Sequence, residues 1–80
     1  MKVRILSFGI ARDITGAGAF DLDLPEGADL GILQEYLLRQ YPAFKRLSSL
    51  MFAVNARYAT GDTKLRDEDE VALIPPVSGG

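Results

Sequence analysis

The chain has 80 residues, 48% of them hydrophobic, and contains neither cysteine nor histidine. A protein of this length makes one domain that buries only about 60–65% of the surface its unfolded chain exposes, so a well-packed core must hold it without a disulfide or a Cys/His metal staple. Nine basic against eleven acidic residues give a formal charge of −2, which offers no footprint for nucleic acid or an anionic membrane surface. No apolar run approaches the ~20 residues of a membrane span, and Lys2 and Arg4 are not followed by a signal-peptide core. The expectation is a soluble, cytoplasmic protein. The missing residue types also limit its chemistry: there is no thiolate nucleophile, no persulfide carrier and no imidazole base.

Lys2 to Phe8 reads as a strand, with Val3 and Ile5 on one face and Leu6 and Phe8 on the other. Gly9 to Gly18 is a longer connection in which Ile10 and Ile14 anchor a single helical turn. Ala19 to Leu24 alternates strictly, Phe20, Leu22 and Leu24 inward and Asp21 and Asp23 outward, and pairs with the first strand as a long hairpin. Pro25-Glu26-Gly27 turns the chain. Asp29 is an N-cap for a helix to about Tyr41, and Leu30, Leu33, Leu37 and Tyr41 form one apolar stripe, assigned to packing. Ile32 stands where an acid often completes a capping box, which weakens the helix start.

Pro42 stops that helix and opens a short second one carrying Phe44 and Leu47. Leu50 to Asn55 returns to strand, Phe52 and Val54 on one face and Met51 and Ala53 on the other. Asn55 and its neighbours turn the chain, Gly61-Asp62 marks a second turn, and Thr63 to Arg66 supplies a short edge piece. Asp67-Glu68-Asp69-Glu70 reads first as a solvated turn; a bound cation lacks a complete ligand set, and steering toward a basic partner is a third use. Val71 to Ile74 closes the chain as a strand, with Val71 and Leu73 inward and Ile74 outward. The order strand-strand-helix-strand-(short strand)-strand belongs to an α+β domain. Its mixed sheet has four to five strands, with one main helix across one face. This is the β-grasp arrangement that ubiquitin also has, and it spans residues 1–80 with an exposed tail at 75–80.

That tail is Pro75-Pro76-Val77-Ser78-Gly79-Gly80. Two prolines remove two backbone donors and stop the ladder. The four residues beyond them reach at most ~14 Å, and the two glycines make the thinnest peptide available. Terminal small residues often mean nothing, but a frayed end needs neither a proline hinge nor an apolar strand before it. The most distinctive reactive group is then the terminal carboxylate, ionised at neutral pH with an ordinary pKa of ~3.5. A carboxylate is a poor acyl donor until activated, so an activating partner is implied.

The run Asp69-Glu70-Val71-Ala72-Leu73-Ile74-Pro75-Pro76-Val77-Ser78-Gly79-Gly80 resembles the C-terminal signature of the small, sulfur-carrier subunit of molybdopterin synthase. Phe8, Arg12-Asp13-Ile14 with Gly16, Val54-Asn55, and Leu65 with Asp67 add to the likeness, which covers essentially the whole chain. The resemblance implies that an E1-like adenylyltransferase consumes ATP to make an acyl-adenylate of Gly80. Sulfur from a sulfurtransferase then gives a thiocarboxylate, and no permanently bound cofactor is expected. It further implies that the tail enters the large catalytic subunit, in a heterotetramer, and donates sulfur to cyclic pyranopterin monophosphate to form the dithiolene. The large subunit would supply the catalytic lysines and substrate pocket, so the chain would be no enzyme alone. Gly80 would carry the sulfur and Gly79 give clearance, while the family's apolar docking patch would map to Phe8, Tyr58 and Ile74. Glu68 departs from a glycine common in the family's turn before the last strand. Rival expectations are another β-grasp sulfur carrier such as the thiamine-pathway type, a ubiquitin-like modifier, or a non-covalent interaction domain. The Pro-Pro-Val-Ser approach to Gly-Gly disfavours the shorter thiamine-type carriers.

Overall fold

The computed structural model describes residues 1–76. Strands β1 (Lys2–Ser7) and β2 (Ala19–Asp23) form the expected antiparallel pair, Val3 opposite Leu22 and Ile5 opposite Phe20. The last strand, β5 (Glu70–Ile74), lies parallel to β1 on its other side, with Ile5 beside Val71 and Ser7 beside Leu73. Strand β3 (Met51–Val54) runs antiparallel to β5, and the two-residue β4 (Arg57–Tyr58) closes the far edge. The sheet order is therefore β2-β1-β5-β3-β4, an α+β β-grasp fold with the one parallel pair at its centre.

The period-2 alternation of the strands sends Val3, Ile5, Val71, Leu73 and Phe52 to one face, where all are buried in a common cluster. Helix α2 (Leu30–Gln40) crosses that face and adds Leu30, Leu33 and Leu37, none more than 1% exposed. Burying each leucine contributes about 1.5–3 kcal/mol, so this stripe outweighs any modest helix propensity of the segment. Tyr41 caps the helix through its N–H to the Leu37 carbonyl, and Pro42 opens a 3₁₀ helix, Pro42–Arg46. Phe44 of that turn is buried and meets Tyr41 edge-on, ring centroids 6.0 Å apart.

The start of α2 is capped more fully than its sequence implies. The Asp29 carboxylate accepts the Ile32 N–H at 3.0 Å, and Ile32 returns nothing. The free donors of the first turn go elsewhere: Leu30 N–H donates to the Thr63 carbonyl at 2.9 Å and Gly31 N–H to that of Gly61 at 2.8 Å. Main chain from the 61–63 loop thus satisfies two first-turn donors that no side chain of the helix reaches. Such a close approach needs Gly31, since a Cβ there would stand 3.2 Å from the Gly61 carbonyl oxygen.

Three expectations need correction. The 9–18 connection holds a two-turn helix, α1 (Gly9–Thr15), in place of a single turn; Ile14 packs against the core as expected and Ala11 is buried, while Ile10 is exposed. A small side chain lets so short a helix sit close to the sheet. β1 ends at Ser7, and Phe8 becomes the extended N-cap of α1. The short edge strand is Arg57–Tyr58, whereas in the 63–66 segment Lys64 makes an isolated bridge with Asp29. Asn55 and Ala56 both take positive φ, 50° and 71°, the turn that folds a two-residue hairpin back along β3.

The acidic run is a hydrogen-bonded turn. Asp67 accepts the Lys2 N–H at 2.8 Å, and Asp69 accepts the Arg66 N–H at 2.7 Å and the Asn55 side-chain amide at 2.9 Å. Glu68, at φ 68°, donates its N–H to the Lys2 carbonyl.

Candidate docking face and tail root

The side of the sheet away from α2 has no helix on it, and the strand registers fix what it presents. One row crosses every strand: Ala19, Leu6, Ala72, Ala53 and Tyr58, joined by the pairs Ala19–Leu6, Leu6–Ala72, Ala72–Ala53 and Ala53–Tyr58. Two residues further toward the end of β5, Ile74 pairs with Met51, and Phe8 follows the Ser7–Leu73 pair at the same end. This half of the face is apolar and flat, because three of its positions are alanine. Phe8, Met51 and Tyr58 stand 51%, 51% and 68% exposed, and Ile74 is half-buried. Contiguous exposed apolar surface of this kind makes the face a candidate for docking.

The other half of the face is charged. Asp21, Arg4 and Glu70 form the next row, and Lys2 pairs with Asp23. Lys2 Nζ lies 4.0 Å from the Asp21 carboxylate, both in solvent. The boundary between the halves falls between neighbouring rows, so a partner reading this face meets grease at the tail end and charge at the other.

The tail leaves from the apolar half. Pro75 and Pro76 continue β5 without secondary structure and are half-buried. Pro75 rests on the start of α1, where a Cβ on Gly9 would stand 3.4 Å from its ring, and Gly9 itself is at φ 52°. Val77, Ser78, Gly79 and Gly80, the rest of the expected carrier tail, lie outside the described residues. Of the expected docking residues, Phe8 and Ile74 come together at the tail root. Tyr58 sits two strands from β5, roughly 10 Å across the sheet, within the same apolar half. Met51 belongs with them. Its parity with Ala53 already placed it on this face, but as a lone methionine it carried no motif.

No described group is built for acid–base or metal work. Among the described residues no three His, Cys, Asp or Glu side chains gather to hold a cation, and no buried side-chain polar atom lacks a partner. Asp62 is the one described group with a clear shift: the hydroxyl of Thr60, then its own backbone N–H, hold its carboxyl below the ordinary value of 3.8. It lies in the 61–63 loop that approaches the start of α2.

Comparison with known proteins extends the match beyond the fold. The model of the ThiS family matches residues 5–80. The molybdopterin synthase sulfur carrier subunit of Chlamydomonas reinhardtii is 34% identical over 83 residues, covering all of both chains. A Pyrococcus furiosus structure assigned as subunit 1 of molybdopterin converting factor superposes with a TM-score of 0.88 at 31% identity, covering 96% of this chain and 99% of that one. A chain from the complex of subunits 1 and 2 of the Helicobacter pylori molybdopterin-converting factor superposes with a TM-score of 0.73 at 28% identity, over the full length of both. Matched from its first strand to its final glycine, and folded as its relatives are, the chain belongs to the ThiS family.

Proposed function

We propose that the chain is the sulfur carrier of a molybdopterin synthase, working in molybdenum cofactor biosynthesis. The observation that carries this reading is the coincidence of two features at one end of the sheet. Strand β5 ends at Ile74, beside Met51 and close to Phe8, where the uncovered face is apolar. A partner that docks on that patch receives the tail in the same encounter.

The chemistry belongs to Gly80. Its carboxylate attacks the α-phosphate of ATP on an E1-like enzyme, pyrophosphate leaves, and an acyl-adenylate forms. A sulfurtransferase persulfide displaces AMP to give an acyl disulfide, and a thiol reductant cleaves its S–S bond to leave the terminal thiocarboxylate and a disulfide of the thiols. Within the large subunit the thiocarboxylate sulfur, a better nucleophile than a carboxylate oxygen, attacks the pyranopterin. Water then cleaves the acyl–sulfur bond and regenerates the Gly80 carboxylate. ATP is thus consumed by the partner, and this chain contributes the docking patch, the stiff proline stem and the carboxyl end. No helix among the described residues is long and apolar enough to cross a membrane, in keeping with partners that meet in the cytoplasm. Phe8, Tyr58 and Ile74 anchor the large subunit, with Met51 beside them.

Deleting Gly80 tests the assignment. The shortened chain is expected to keep its unfolding midpoint and its affinity for the large subunit while losing sulfur transfer completely. Undiminished transfer would sink the carrier reading, and unchanged biological activity would favour a non-covalent interaction domain.

A further inference from the structure

The opposite side of the molecule holds a recess that the sulfur-carrier reading does not use. Leu37, Leu38, Phe44, Leu47, Leu50 and Phe52 line an open hollow of about 160 Å³ between α2, the 3₁₀ helix and β3. Leu37, Phe44 and Phe52 form its buried floor, while Leu38 at the lip is 37% exposed. The volume is near that of the ~150 Å³ apolar cavity known to take up benzene, so it suits one aromatic or branched aliphatic side chain. Gln34 adds the only polar group to the lining.

The rim supplies the second half of the recognition. A neighbouring hollow shares Leu38 and is bounded by Glu35, Arg39 and Lys45. Among the described residues neither Arg39 nor Lys45 makes an ion pair, and exposed Arg46 follows Lys45. Two lining cations, Arg39 and Lys45, against the one carboxylate of Glu35 make the rim positive on a protein that is negative as a whole. Long-range attraction there favours an acidic ligand.

We propose that this recess receives an apolar anchor side chain borne on an acidic segment of a second protein. The anchor fills the hollow against Phe44 and Leu47, and flanking carboxylates lie along Arg39 and Lys45. A second copy of this chain does not fit. Among the described residues the exposed large hydrophobics are Phe8, Ile10, Ile32, Leu38, Met51 and Tyr58, and none has an acidic residue immediately beside it in the sequence. Because the recess is on the helix side and the tail root on the bare side of the sheet, both can be occupied at once. The proposal therefore stands or falls apart from the carrier reading.

The test is a titration of the isotope-labelled full chain with a synthetic peptide carrying one phenylalanine between two pairs of glutamates, followed by amide shifts. Saturable shifts at Gln34, Leu38, Lys45 and Leu47 are expected. Affinity should fall about tenfold in the Arg39→Glu/Lys45→Glu variant, whose changes are both at exposed positions. It should vanish when the peptide phenylalanine is replaced by alanine. Absence of shifts, shifts centred on Leu6 and Ala72, or equal binding by the alanine peptide would overturn the proposal. So would recess shifts that grow with protein concentration alone, which would assign the hollow to self-association.

Discussion

Glu68 holds a left-handed backbone, φ 68°, in the turn that feeds β5. A residue with a Cβ pays about 1–2 kcal/mol for that conformation, and glycine recovers it less the greater entropy it loses on folding. The Glu68→Gly variant is therefore expected to gain about 0.5–1 kcal/mol, raising Tm by a few degrees in a domain of this size. Denaturant melts check the sign; a loss of stability would mean that the Glu68 side chain contributes more than its backbone costs. Asp62 offers a second residue-level test. Its carboxyl titrates below 3.8 because the Thr60 hydroxyl donates to it. A depressed folded-state pKa means the contribution is present above the ordinary carboxylate value and disappears as pH falls through the folded value. Asp62 should thus be among the last carboxylates to protonate in an acid titration followed by NMR. Thr60→Ala should bring its midpoint back toward 3.8 and remove the contribution that this contact makes above that pH.

At the level of elements, α2 depends on contacts that its own sequence does not contain. Ordinarily alanine is favoured over glycine in a helix by about 1 kcal/mol. At position 31 the order should reverse, because the added Cβ meets the Gly61 carbonyl oxygen and the Asp29 carboxylate at 3.2 Å and breaks the backbone cap between them. We expect Gly31→Ala to destabilise by about 1–3 kcal/mol, measured by equilibrium unfolding; a stabilised variant would refute the loop-capped helix start. The same example explains what was legible. Helix α2 and the β1–β2 hairpin are written in local periodicity, 3-4-4 spacing in one and strict alternation in the other. β5 and the faces of Ile74 and Met51 follow from the same alternation. The turn at Asn55 was legible; that it closes a two-residue hairpin was not, since Ala56 takes a positive φ without being glycine. Nor was α1, whose length rests on the small Ala11 reaching the sheet rather than on an apolar stripe. The candidate site was readable as a motif at the tail and as strand parity at Phe8 and Ile74. The row of alanines that flattens the face between Leu6 and Tyr58 emerges only once the register is known.

Across the whole molecule the work is divided by side. One side of the sheet is spent on the core beneath α2; the other is left bare, apolar toward the exit of β5 and charged toward the start of β1. The parallel β1–β5 pair at the centre anchors the emerging chain in the most deeply hydrogen-bonded part of the sheet, and Pro75 seats it on the start of α1. In the proposed carrier the reacting group is the Gly80 carboxyl, so the chemistry calls on neither a cysteine nor a histidine of this chain. The most direct test is the intact mass of the full chain after incubation with the adenylating enzyme, ATP and a sulfur source. The account predicts a gain equal to one sulfur minus one oxygen, mapped to the C-terminal peptide and absent without ATP. An unchanged mass, or a gain located anywhere other than Gly80, would contradict it.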